Sequence, residues 1–156
     1  MWNIDTHRAE ETYALGLRLA QGLQQPLVIA LVGDLGSGKT CFTQGLAEGL
    51  DVQEPVTSPT FVLIQEYEGR LPLFHADLYR LEEKDLEPIG IEEQIETWPG
   101  LVVVEWADRF SDVVPADHLR IEICDLGGDR RRISFVPRGS RSASLLTGLQ
   151  IEILES

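Results

Sequence analysis

The sequence predicts an α/β protein, a three-layer fold with a mixed, mainly parallel sheet and an antiparallel hairpin. Three observations carry that expectation. Residues 27–32 form a continuous apolar run, Leu27 to Val32, with the length of a strand covered on both faces. The glycine-rich stretch 33–38 follows it and leads into a helical pattern over 39–50. A second apolar run, 101–106, repeats the buried-strand signature, and the segments 61–67 and 71–79 flank the short turn 68–70 as a hairpin would.

The other elements follow in order. Residues 10–23 place Leu15, Leu19 and Leu23 four apart, on one face of an amphipathic helix closed near Gly22. The helix that opens at Lys39 ends near Gly49. Residues 81–95 are acidic with apolar Leu86, Ile89 and Ile91, which predicts one or two short helices broken near Pro88 and Gly90. Segments 118–124 and 131–136 read as a terminal strand pair around the turn 125–129. The tail 140–156 carries Leu145, Leu146, Leu149, Ile151 and Ile153, apolar enough to dock on the domain or on a partner.

The 156 residues, 43% hydrophobic and 25% charged, are expected to form one globular domain over 1–156. The first eleven residues have no apolar signal region, and the longest apolar runs are far too short to span a bilayer, so a cytoplasmic protein without membrane attachment is expected. Cys41 and Cys124 show no metal-ligand spacing and are expected to be reduced and structural. With 26 acidic and 13 basic residues the formal charge is −13, which disfavours DNA binding and unaided RNA binding.

Gly33-Asp34-Leu35-Gly36-Ser37-Gly38-Lys39-Thr40 matches G-x-x-x-x-G-K-[ST], the P-loop pattern, in the strand–turn–helix context it requires. Glycines let successive N–H groups turn toward phosphate oxygens, and the helix N-terminus adds a favourable potential. In that arrangement Lys39 reaches the β- and γ-phosphates and the Thr40 hydroxyl can ligate Mg²⁺. Chance alone would give the pattern in about one chain in 200 of this size. A nucleotide is therefore the expected ligand. The guanine-reading [NT]-K-x-D pattern is absent, Lys84 lying in Glu83-Lys84-Asp85-Leu86, so ATP is preferred over GTP.

A P-loop also needs a carboxylate near the metal, usually at the end of a neighbouring strand. Glu105, closing the run 101–104, is placed for that, with a solvated strand end as the less favoured alternative. Asp77 is the second candidate, with an ordinary turn carboxylate as its alternative. Trp106 could border the nucleotide or simply pack. In Arg130-Arg131-Arg132, a solvated run competes with a role for Arg130 facing the nucleotide. His75 and His118 have no paired ligand spacing.

The P-loop, Thr57-Ser58-Pro59-Thr60-Phe61, His75-Ala76-Asp77-Leu78-Tyr79-Arg80 and Val104-Glu105-Trp106, in this order, closely resemble the bacterial TsaE (YjeE) family of small ATPases in tRNA threonylcarbamoyladenosine synthesis. The resemblance implies a P-loop NTPase-like fold in which Asp34, Leu35, Gly36, Ser37, Gly38, Lys39 and Thr40 bind the triphosphate. It implies that Thr40 and Glu105 hold Mg²⁺, that Thr60 belongs to a switch-like loop and that hydrolysis depends on Asp77. It further implies a slow ATPase working with TsaB and TsaD, which would carry most of the tRNA contact. A small-molecule kinase and a non-hydrolysing, nucleotide-gated binding module are the competing readings. The kinase would need a mobile arginine-bearing lid, and the arginine cluster lies in the terminal hairpin instead.

Overall fold

The computed structural model describes residues 1–34, 36–57, 64–79, 81–82, 84–85, 90–107 and 112–155. In chain order its elements are β1 (Trp2–Thr6), α1 (Ala9–Gly22), β2 (Leu27–Val32), α2 (Lys39–Gly49), β3 (Ile64–Tyr67), β4 (Leu73–Asp77), α3 (Ile91–Thr97), β5 (Leu101–Glu105), β6 (His118–Gly127), β7 (Arg130–Arg138) and α4 (Ser140–Glu155). The strands form one sheet in the order β1-β7-β6-β2-β5-β4-β3. The neighbours β6, β2, β5 and β4 are parallel. At the flanks, β7 runs against both β6 and β1, and β3 runs against β4. Five strands thus point one way, giving the mixed, mainly parallel sheet that the apolar runs predict.

Alternation along the strands makes the layers. Leu27, Ile29 and Leu31 of β2 join Leu101 and Val103 of β5 in a core shared with α1, α2 and α4. On the opposite face, Ala30, Phe74, Ala76, Val102 and Val104 pack with Ile91 and Ile95 of α3. Both faces of the central strands are covered, which is why their sequences are apolar throughout. Helices α1 and α2 approach backbone to backbone: a Cβ at Gly45 would overlap the Tyr13 carbonyl oxygen, and one at Gly16 would overlap that of Phe42. Their shared C-terminal side is closed by Arg70, whose guanidinium donates to the carbonyls of Leu23 at 2.8 Å, Ala20 at 2.7 Å and Gly49 at 3.3 Å. A cation there complements the negative ends of both helices.

Two elements go beyond the sequence-based expectation. β1 pairs with β7, and Trp2 and Ile4 pack on the core while Asn3 and Asp5 are exposed, a period-two pattern only five residues long. The tail is a helix, α4, whose Leu146, Leu149 and Ile153 join the α1–α2 core. In the hairpin, β4 covers 73–77 of its apolar segment 71–79, and β3 covers 64–67, with 61–63 outside the described residues. Of the acidic stretch, α3 starts after Gly90. Among the described residues no helix is long and apolar enough to cross a membrane.

Candidate functional site

The loop after β2 is shaped by its glycines. Gly36 and Gly38 adopt left-handed backbones, with φ of +80° and +107°, a region open to glycine at little cost. Ser37 N–H donates to the Asp34 carbonyl at 3.0 Å, closing the turn. Helix α2 then starts at Lys39 with Gly38 as its N-cap and no side-chain cap hydrogen bond, and a helix N-terminus of this kind is favourable to an anion. Lys39 is 6% exposed; its Nζ donates to the Gly33 carbonyl at 2.5 Å and lies 3.8 Å from the centre of the Trp106 ring.

Strand order brings the carboxylates to this loop. Asp77 and Glu105 are register partners at the C-terminal ends of the parallel strands β4 and β5, and Glu105 also pairs with Leu31 at the end of β2. Ligands of open α/β sheets bind at this edge. A cavity of about 250 Å³ is lined by Gly36, Gly38, Lys39, Thr40, Asp77, Glu105 and Trp106. Glu105 is 3% exposed and hydrogen-bonded to the buried His75, Nε2 to Oε2 at 2.6 Å. Burial pushes the Asp77 carboxyl above its ordinary value; Glu105 adds to this, while the Tyr79 N–H, His75 and Lys39 oppose it. Trp106 has a left-handed backbone, φ +65°, an outlier for a bulky residue, and its ring meets Tyr79 with centroids 4.9 Å apart.

Thr40, Asp77 and Glu105 offer hard oxygen donors of the kind that suits magnesium. Among the described residues no three His, Cys, Asp or Glu side chains cluster as a metal cage. Two carboxylates and a hydroxyl could serve an ion that takes one or two protein ligands and fills its shell with other oxygens.

Several sequence-predicted residues converge here and others do not. Gly36, Gly38, Lys39, Thr40, Asp77 and Glu105 share the cavity, Ser37 is buried within the loop, and Asp34 is exposed at its start. Leu35 and Thr60 lie outside the described residues. Arg130 is exposed at the start of β7, and the arginine that meets the loop is Arg131. Arg131 donates from Nε to the Ser37 carbonyl at 2.6 Å and from Nη2 to that of Gly36 at 3.3 Å, while Nη1 holds Asp125 at 3.0 Å. Strand alternation carries the signal: Ile133 and Phe135 are core residues, so Arg131 shares their face and Arg130 does not. His75 is the other residue missed, since its partner comes from a different strand.

The sequence profile described as Threonylcarbamoyl adenosine biosynthesis protein TsaE matches residues 6–133. The chain belongs to the TsaE family of tRNA threonylcarbamoyladenosine biosynthesis. A TsaE protein of Nostoc sp. is 51% identical over 105 residues, 65% of this chain and 65% of its own length. The Bacillus subtilis TsaE protein is 42% identical over 137 residues, 87% of this chain and 85% of its own. A crystal structure of Bacillus subtilis YdiB superimposes with a TM-score of 0.78 at 36% identity, covering 96% of this chain and 93% of that one. The TsaE match encloses the loop, both carboxylates, His75 and Arg131, and leaves α4 outside.

Proposed function

We propose that this chain binds ATP with Mg²⁺ and hydrolyses it slowly, as the nucleotide-driven subunit of the assembly that makes threonylcarbamoyladenosine in tRNA, with TsaB and TsaD as partners and tRNA reached through them. One observation carries the reading: Lys39, Thr40, Asp77 and Glu105 meet in one cavity at the open N-terminus of α2.

Phosphoryl transfer to water asks a protein chiefly for positioning and charge stabilisation. The loop amides and the α2 N-terminus receive the phosphates, and the Lys39 ammonium leaves the Gly33 carbonyl for the β- and γ-phosphate oxygens. Thr40 and Glu105 would hold the magnesium ion, which supplies further neutralisation of phosphate charge. Asp77, beside Glu105, accepts a hydrogen bond from the attacking water and orients it. The acidic surface leaves tRNA contact mainly to the partners, and the nucleotide state of this chain biases the complex.

Steady-state phosphate release from ATP and Mg²⁺, with and without TsaB and TsaD, tests this. The expected result is slow release that the partners stimulate and that Thr40→Ala and Glu105→Ala abolish. ATP binding with no release under any condition would favour the nucleotide-gated binding module.

A further inference from the structure

His75 stands where the sheet calls for an apolar side chain. On β4 it shares a face with Leu73 and Asp77, and its register partner on β5 is Val103. Leu73, Leu101 and Val103 all belong to the α1–α2 core. The imidazole is wholly buried, which is unfavourable for a polar ring unless it is hydrogen-bonded. Its hydrogen bond goes to Oε2 of Glu105 at 2.6 Å. The other ring nitrogen, Nδ1, is buried with no hydrogen-bond partner among the described residues. A proton on Nδ1 would be an orphaned buried donor, so the ring carries its proton on Nε2 and donates it to the carboxylate.

That bond engages one oxygen of a residue that lines the phosphate-side cavity. A glutamate side chain has several rotatable bonds, and fixing one oxygen fixes the direction of the other. Partners of this kind, one step behind a metal ligand, set ligand orientation and metal affinity. Resting on the ATP–Mg²⁺ reading above, we propose that His75 is a positioning residue: by holding Oε2 it aims Glu105 at the magnesium ion carried by the nucleotide and sets how tightly that ion binds. Packing between β4 and β5 would be served by leucine; the imidazole is required by the carboxylate.

Calorimetric titration of the full chain with ATP, in EDTA and then at stepped Mg²⁺ concentrations, measures the Mg²⁺ needed for half-maximal tightening. His75→Leu should bind metal-free ATP like the wild type yet need about 10–100-fold more Mg²⁺. His75→Gln, whose amide can donate to the same oxygen, should recover most of the loss. If the leucine variant does not fold, His75→Met, unbranched and adaptable in a core, takes its place. In a Glu105→Ala background, His75→Leu should move the midpoint no further. An unchanged midpoint in His75→Leu, equal impairment in His75→Gln, or a further shift in the double variant would each overturn the assignment while leaving the ATP reading intact. No ATP binding by the wild type would instead sink the ATP reading, and this proposal with it.

Discussion

The ammonium of Lys39 lies 3.8 Å from the centre of the Trp106 ring while it donates to the Gly33 carbonyl at 2.5 Å. The lysine is thus held between the loop backbone and an indole in the cavity that Asp77 and Glu105 also line. Trp106 reaches it from a left-handed backbone, a conformation that costs a bulky residue about 1–3 kcal/mol. A cation–π contact of about 0.5–2 kcal/mol offsets part of that. The strained residue directly follows Glu105, so the turn that aims the indole also ends the strand that delivers the carboxylate.

Phosphates that draw Lys39 away from Gly33 must change the surroundings of Trp106. ATP is therefore expected to alter tryptophan emission, and Trp106→Phe should remove the change. The other described indoles lie elsewhere, Trp2 against Phe135 at 4.9 Å and Trp98 against Phe74 at 5.2 Å. The phenylalanine variant should bind ATP with a Kd within about 30-fold of wild type, the limit set by losing a contact of about 2 kcal/mol. A full emission response in Trp106→Phe would place the signal at another indole and contradict this assignment.

The raised Asp77 carboxyl sets a pH dependence of stability. Burial raises its carboxyl above the ordinary value, Glu105 adds repulsion, and the Tyr79 N–H, His75 and Lys39 pull it back. Between the ordinary and the raised value the native state binds more protons at this site than the unfolded chain. The contribution of Asp77 to stability is therefore complete below the ordinary value and is lost as pH rises through the raised one. On the ATPase reading proposed above, Asp77 orients water in its ionised form, so phosphate release should fall as the carboxyl is protonated. Asp77→Asn, which keeps an acceptor for the Tyr79 N–H bonded at 3.0 Å, should raise Tm at neutral pH, flatten its decline with pH and lower kcat by about 100-fold or more. Thermal scans across pH beside phosphate release would show the pair of effects; a lower Tm at neutral pH would contradict the electrostatic account.

How much of this was legible in the sequence depends on whether the signal was local. The apolar runs of β2 and β5, the 3.6-residue pattern of α1 and the loop at 33–40 each declare themselves within a dozen residues. Glu105 and Asp77 were legible as strand-end carboxylates, because a charge closing an apolar run is a local anomaly. Their pairing was not, since it depends on β4 lying beside β5. His75 illustrates the difference: its sequence neighbours describe a strand, and only the register with β5 supplies its carboxylate. Arg131 was half legible, for alternation with Ile133 and Phe135 fixes its face, but the loop it holds is 94 residues away. β1 carried a period-two pattern too short to stand apart from a polar N-terminus.

The helix pair α1–α2, which carries the glycine-rich loop, yields a test in which one substitution has opposite signs at two sites. Ala is the better helix former by about 1 kcal/mol. At Gly45 the added methyl would overlap the Tyr13 carbonyl oxygen, a backbone atom that cannot rotate away. The helices must separate, and overpacking of this kind costs about 1–3 kcal/mol, so Gly45→Ala should lower stability despite its propensity. Among the described residues, and apart from its own helix backbone, nothing lies within 4 Å of such a methyl at Gly148 in α4, and Gly148→Ala should raise stability by about 0.5–1 kcal/mol. Urea unfolding of both variants decides it. Because α2 begins at Lys39, separating the helices also moves the loop, and Gly45→Ala should weaken ATP binding while Gly148→Ala leaves it unchanged.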